Sequence, residues 1–321
     1  MKKHRTPEPK PLFVERMKEL LGKDFENYND YLSKYLPTSI RCNTLKITPF
    51  NLKKRLEEKG WNIIQPFQNF PEIMIIKNDL LPGELGRSIE HVLGYYYVQE
   101  ISSMLSVLAL NPKPNELVLD LAASPGSKTT QIASHMNNKG TIIANDISLG
   151  RIKILASNTE RCGVTNTIIT RKHGVALCKN LKKSGFSFDK ILIDAPCSGE
   201  GTLRSSPKTY RMWNINTIKK LSKIQKHLVE SAWEILKIGG ELVYSTCTHA
   251  PEENEEVVDF MINKFKDQIK VENINLPIKC RSGLTSWNEQ KYNKAVKLSC
   301  RIYPQDNNTE GFFIAKFRRV G

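Results

Sequence analysis

The chain has 321 residues, 40% hydrophobic and 25% charged, with 48 Lys and Arg against 33 Asp and Glu and a formal net charge of +15. Such a length suggests two domains with a full hydrophobic core, and the balance is that of a soluble globular protein. No apolar run reaches the roughly 18 residues of a membrane helix, and no apolar segment follows "MKKHRTPEPK", so neither a membrane span nor a secretory signal is expected.

Residues 11–36 carry Leu, Phe, Met and Tyr at helical spacing, and Pro37 ends the predicted helix. "SIRCNTLKI" reads as a strand. "TPFNLKKRLEEKG" reads as a helix with a Thr cap, Pro at its first position and a closing Gly. "WNIIQPF" and "EIMIIK" are short strands, and "IEHVLGYYYVQEISSMLSVLAL" is predicted as a connecting helix. Its Tyr95, Tyr96 and Tyr97 suit either base stacking or core packing. Residues 1–110 thus form a smaller α+β unit with an N-terminal helix.

From Asn111 onward, strands and helices alternate. "ELVLDLAA", "GTIIANDI", "NTIITR", "DKILIDAP" and "ELVYSTC" are apolar strands with helical segments between them. The last intervening helix, "TIKKLSKIQKHLVESAWEILKIGG", is expected to close on Gly239 and Gly240. "EGFFIAKFRR" is a final strand. This rhythm predicts an α/β domain over 111–321 built on a doubly wound, mostly parallel sheet. Ligands of such sheets bind beyond the carboxyl ends of the strands. Asp120, Asp146, Asp194, Cys197 and Cys247 all fall at such ends.

"DLAASPGSKTT" at 120–130 turns from strand to helix through small residues that let a ligand approach the backbone and the helix N-terminus. Asp146 in "ANDIS" ends the next strand, where an acid commonly holds ribose hydroxyls; it equally suits a helix N-cap.

The charge is uneven. Residues 1–110 hold 16 basic and 13 acidic side chains, and residues 111–321 hold 32 and 20. No acid occurs between Gly201 and Val229, where Arg204, Lys208, Arg211, Lys219, Lys220, Lys223 and Lys226 lie. A polyanionic partner, nucleic acid above all, accounts for this better than a general lysine bias. The seven cysteines are odd in number and include no CxxC, so no disulfide framework, no metal site and a reducing cytoplasm are expected.

"DAPCSGEGT" after one buried strand and "STCT" after the next, together with "DLAASPGSKTT", are similar to the motifs of the Sun-type RNA (cytosine-5) methyltransferases. Lesser matches are "IRCNTLK", "YVQEISS", "RSSP", "PEENE", "RIYPQ" and "EGFFIAKF", so the resemblance runs from about Ile40 to the C-terminus. The basic, compact chain most resembles archaeal members acting on tRNA.

The resemblance implies a Rossmann-like class I methyltransferase domain with a reversed C-terminal strand, preceded by an RNA-binding-like domain. It implies S-adenosylmethionine as methyl donor and RNA as partner, tRNA before rRNA. It casts Cys247 as nucleophile and Cys197 as the aid to product release. Asp194 would polarise the pyrimidine, and Lys128 would neutralise nearby charge. The cofactor would lie along Ala122, Ala123, Ser124, Pro125, Gly126, Ser127, Lys128, Asp146, Arg151 and Asp194. Arg41, Asn43, Arg204, Lys208, Lys219, Lys220 and Lys223 are the expected RNA contacts. A monomer is expected.

The chemistry needs this set. Carbon 5 of cytosine is a poor nucleophile until a thiolate adds to carbon 6, and the thiolate must later be expelled. Three positions depart from the family pattern: Gly126 is followed by Ser127 rather than a second glycine, Ala122 replaces a cysteine, and "TRKHGVA" offers no acid where adenine would sit. His173 in that run reads as a surface residue. A DNA cytosine-5 methyltransferase would need a Glu-Asn-Val segment that this chain lacks. A small-molecule enzyme would not need the basic run. A catalytically inactive RNA-binding factor on the same fold would be expected to have lost Asp194, Cys197 or Cys247, and all three are present.

Overall fold

The computed structural model describes residues 8–321; residues 1–7, most of the basic N-terminal stretch, lie outside it. Thr48 caps the helix Pro49–Glu57 by accepting the Asn51 amide, with Pro49 at its first position. That helix covers a four-stranded antiparallel sheet made of β1 (Thr38–Cys42), β2 (Ile63–Ile64), β3 (Ile73–Ile76) and β4 (Tyr96–Val98), in the order β2-β3-β1-β4. Leu52, Leu56, Trp61, Ile40, Met74 and Tyr96 form the core of this unit.

The nine-stranded second sheet contains β5 (Leu117–Asp120), β6 (Thr141–Asp146), β7 (Thr167–Arg171), β8 (Phe188–Asp194), β9 (Leu236–Thr246), β10 (Ile269–Glu272), β11 (Arg281–Ser282), β14 (Cys300–Ile302) and β15 (Phe312–Arg319). A separate hairpin pairs β12 (Ser286–Trp287) with β13 (Gln290–Lys291). The large sheet runs β11-β14-β15-β9-β8-β5-β6-β7, with β10 also on β15. From β9 to β7 all pairs are parallel, and β15 runs antiparallel to β9, the reversed strand that the family pattern implies. Ile191, Ile193, Tyr244, Val229 and Trp233 pack on one face; Leu105, Leu110, Val118, Ile132 and Val243 pack on the other. Burial on both faces explains why these strands read as continuous apolar runs.

Several local expectations are corrected. The first helix breaks at Gly22, whose φ of 53° no helix continues, into Pro11–Leu21 and Phe25–Ser33. Both pieces bury Phe13, Met17, Phe25 and Tyr28 against Leu203, Tyr210, Trp213 and Tyr303 of the second half of the chain. The connecting helix is a short turn Ile89–Val92, the strand β4 and a helix Ile101–Leu110. Within it Tyr96 and Tyr97 are buried, so they pack rather than stack on bases. The helix Ile215–Trp233 ends before the glycine pair, and Gly239 (φ 80°) bends the start of β9 instead. Cys280 and Cys300 form a disulfide where none was expected: Cys280 immediately precedes β11, which pairs with β14, and the two cysteine Cα atoms lie 5.3 Å apart. Among the described residues no helix is long and apolar enough to cross a membrane.

Candidate active site

Strand register brings the two cysteine motifs together. Asp194, the last residue of β8, lies opposite Ser245 of β9, whose Oγ donates to Asp194 Oδ1 at 2.9 Å. Three residues beyond Asp194 and two beyond Ser245, the Sγ atoms of Cys197 and Cys247 are 3.3 Å apart, both half-buried. The hydrogen bond with Cys247, followed by burial, pushes the Cys197 thiol well above the ordinary range. Either sulfur can donate across this contact, and the Cys197 thiol is the one held more strongly protonated. Lys128 reaches Asp194 from the far side, with Nζ 2.7 Å from Oδ2 and 2.8 Å from Ser103 Oγ.

The "PEENE" segment holds both cysteine turns. The Glu253 carboxylate accepts the Ser198 amide at 3.1 Å and Gln225 Nε2 at 2.8 Å, while Gln225 also donates to the Pro196 carbonyl. Burial pushes Glu253 up to about 7. Asn254 accepts from Thr246 Oγ1 at 2.6 Å and donates to the Thr248 carbonyl at 2.9 Å, clamping Cys247 from either side. The Gly201 amide donates to the Cys247 carbonyl at 2.9 Å, and a Cβ there would collide with the Gly311 carbonyl. The Glu253–Ser198 contact spans 55 residues and the Gln225 contacts 28 and 29, so local sequence patterns do not show them.

A cavity of about 400 Å³ opens at the carboxyl ends of β5, β6, β7 and β8 and runs to the two cysteines. Ala122, Ser124, Asp146, Arg151, Asp194, Cys197 and Cys247 line it, as does Asn145. Asp146 Oδ1 accepts the Ser148 amide at 2.9 Å, and Arg151 lies 3.6 Å from Oδ2; Ser148, not Asp146, caps the following helix. Ser124 Oγ and Asp120 Oδ1 are buried without a partner among the described residues. Lys172, His173 and Gly174 of the β7 loop also line the cavity, although the sequence assigned them no contact. Their position beyond a strand's carboxyl end was the available signal. Asn145 pins that loop through the Lys172 amide and carbonyl, each at 3.0 Å.

Other expected residues lie elsewhere. Ala123 packs in a small core with Ala144 and Leu155. Gly126 (φ 105°) caps the helix Ser127–His135, and Pro125 is exposed outside the cavity. Ser127 opens that helix, half-buried.

Three expected RNA contacts are corrected. Arg41 and Asn43 are each 1% exposed. Arg41 binds the Ser127 carbonyl and Thr130, and Asn43 donates to the carbonyls of Gly94 and Cys162. Arg204 is spent on the carbonyls of Thr309 and Tyr35. Their polar ends are therefore occupied by protein rather than phosphate. Lys208, Lys219, Lys220 and Lys223 are exposed. The last three lie opposite the buried stripe Ile218, Ser222, Gln225 and Val229 of their helix.

Residues 107–318 match the family model described as 16S rRNA methyltransferase RsmB/F, and residues 10–101 match the N-terminal domain of 16S rRNA methyltransferase RsmF. The chain is 44% identical over 306 residues to a tRNA (cytosine(49)-C(5))-methyltransferase of Pyrococcus abyssi, covering 95% of each. It is 40% identical over 299 residues to ribosomal RNA small subunit methyltransferase F of Shewanella piezotolerans, covering 92% of this chain but 60% of that relative. A crystal structure of a methyltransferase homologue from Pyrococcus horikoshii superposes with a TM-score of 0.84 at 34% identity, covering 96% of this chain and 94% of the other.

Proposed function

Because the chain belongs to the RsmB/F family of RNA methyltransferases, we propose that it methylates carbon 5 of cytosine in RNA, tRNA before rRNA, through a covalent bond from Cys247. The observation that carries this reading is the pair of sulfurs 3.3 Å apart beside Asp194 at the end of the cavity.

The cavity suits S-adenosylmethionine. Asp146 ends β6 where ribose hydroxyls are commonly held, the buried Ser124 Oγ at the cavity wall lacks a partner among the described residues, and Leu121, Ile147 and Leu228 supply apolar walls. When bound, the donor supplies an electrophilic methyl group on sulfonium.

The chain's own residues do the rest. Cys247 loses its proton to water and its thiolate adds to carbon 6 of the cytosine, so that carbon 5 can take the methyl group while the demethylated donor leaves. Asp194, fixed between Lys128 and Ser245, sits beside the pyrimidine and orients it. Once carbon 5 carries the methyl group, a base takes the carbon 5 proton and the bond from carbon 6 to sulfur breaks. Cys197, which keeps its own proton, donates a hydrogen bond to the departing Cys247 thiolate. Covalent catalysis of this kind splits one hard step into easier ones.

The exposed lysines 208, 219, 220 and 223 form the phosphate-binding face, and residues 1–110 act as the RNA-recognition unit of a cytoplasmic monomer. The tRNA reading rests on the relative matched over 95% of both chains. Incubation with labelled S-adenosylmethionine and separate tRNA and rRNA from cells lacking the gene tests it. Label is expected in 5-methylcytosine of tRNA. Label in rRNA alone overturns the tRNA preference, and label in neither overturns the activity.

A further inference from the structure

Arg41 is a buried cation with no carboxylate in salt-bridge reach among the described residues. Burial lowers its pKa to about 10. A buried charge is costly unless fully bonded, so where its hydrogen bonds go is informative. Nη1 donates to the Ser127 carbonyl at 2.7 Å, and Nη2 donates to Thr130 Oγ1 at 2.8 Å. Both acceptors belong to the first turn of the helix Ser127–His135, which carries Lys128. Gln99 binds Arg41 in turn and donates to Gln131 Oε1 at 3.2 Å.

Tyr97 sits directly across from Arg41 in the β1–β4 pair, and the guanidinium carbon lies 5.6 Å from its ring centroid. The Tyr97 hydroxyl donates to the Pro125 carbonyl at 3.4 Å. Asn158 Nδ2 donates to that hydroxyl at 3.1 Å and to the same carbonyl at 2.9 Å. Arg151 holds the Ser124 carbonyl. The carbonyls of Ser124, Pro125 and Ser127 are thus each gripped by a side chain, two of them by residues of the four-stranded sheet. The Ser124 Oγ, without a partner among the described residues, is left at the cavity wall. Supporting contacts of this kind fix a site's geometry without touching its ligand.

We propose that Arg41 and Tyr97 are positioning residues for the methyl-donor loop at 122–127 and for Lys128, so that the N-terminal sheet forms part of the donor site. This rests on the reading that the cavity binds the donor. An N-terminal unit that only reads RNA has no need to grip that loop; here its two facing strands supply the grip.

The test uses the full chain and S-adenosylhomocysteine as the probe, with binding measured by calorimetry and RNA affinity measured without the probe. Arg41→Met should weaken probe binding about tenfold or more, the loss of a charge-assisted hydrogen bond, and leave RNA affinity within about twofold. Arg41→Lys should restore part of the loss. KM for S-adenosylmethionine should rise while KM for RNA stays put. Tyr97→Phe and the half-buried Asn158→Ala should move probe affinity the same way, and they decide the matter if Arg41→Met does not fold. Unchanged probe affinity in both overturns the inference. So does an Arg41 variant that loses RNA affinity alone, which would make Arg41 an RNA contact. Asp146→Ala separates the two levels. If it binds the probe normally, the cavity reading fails and the inference falls with it. If it alone loses the probe, only the positioning role fails.

Discussion

The Sγ atom of Cys197 stands 3.3 Å from that of Cys247, and the hydrogen bond between them is the largest cause of the raised Cys197 pKa. The two thiols therefore sit in unequal settings, because the Cys197 proton is held more tightly than in a free thiol. Cys247→Ala should abolish methyl transfer while RNA and S-adenosylhomocysteine still bind. Cys197→Ala should accumulate a protein–RNA adduct that survives denaturing electrophoresis, and the double variant should form none. Free turnover by Cys197→Ala, or an adduct persisting without Cys247, would reverse the two roles.

Gly201 ties the turns together from behind. Its amide donates to the Cys247 carbonyl, and an added Cβ would meet the carbonyls of Gly311 and Cys247. Gly201→Ala should therefore separate the Cys197 and Cys247 turns, cost about 1–3 kcal/mol of stability by overpacking, and lower kcat more than it raises KM for RNA. Denaturant titration and steady-state kinetics check both halves; a variant as stable and active as wild type would show that the contact yields easily.

The lysines at 219, 220 and 223 project away from the buried stripe of their helix. If they meet phosphates, replacing all three with Gln should flatten the slope of log affinity against log salt by up to about three. Filter binding at several salt concentrations measures it, and an unchanged slope would make this an ordinary solvated helix face.

Asp120 ends β5 with its carboxyl pushed up to about 7, first by burial and also by the neighbouring charges of Asp194 and Asp146, against the Thr129 hydrogen bond and Lys128. An unfolded Asp ionises near 3.8. Between about pH 4 and pH 7 the folded protein thus holds a proton that the unfolded chain has released, and this group's contribution to stability is lost as pH rises. Asp120→Asn, which can still accept from Thr129, should gain in thermal midpoint relative to wild type as pH rises through that window. A difference that stays constant from acid to neutral pH would place the Asp120 carboxyl back in the ordinary range.

The alternation of strand and helix from Asn111, the acids and cysteines at strand ends and the Thr48 cap are all written in short stretches of sequence. Each depends on residues a few positions apart: apolar runs buried on both sheet faces, a turn of small residues, a hydroxyl beside a helix start. The acid-free basic run is likewise plain in composition, and its outward lysines follow from helical spacing.

Tertiary structure alone decided which basic and polar residues are free. Arg41 resembles a nucleic-acid contact in sequence, yet its acceptor at Ser127 lies 86 residues along the chain. Arg204 is spent on carbonyls at Tyr35 and Thr309, 169 and 105 residues away. The same holds for Glu253 under the Cys197 turn, for the β7 loop at the cavity, and for Cys280 beside Cys300. A charge has no periodicity that says whether water or a distant carbonyl will satisfy it; that is decided only when packed elements bring the acceptor within reach.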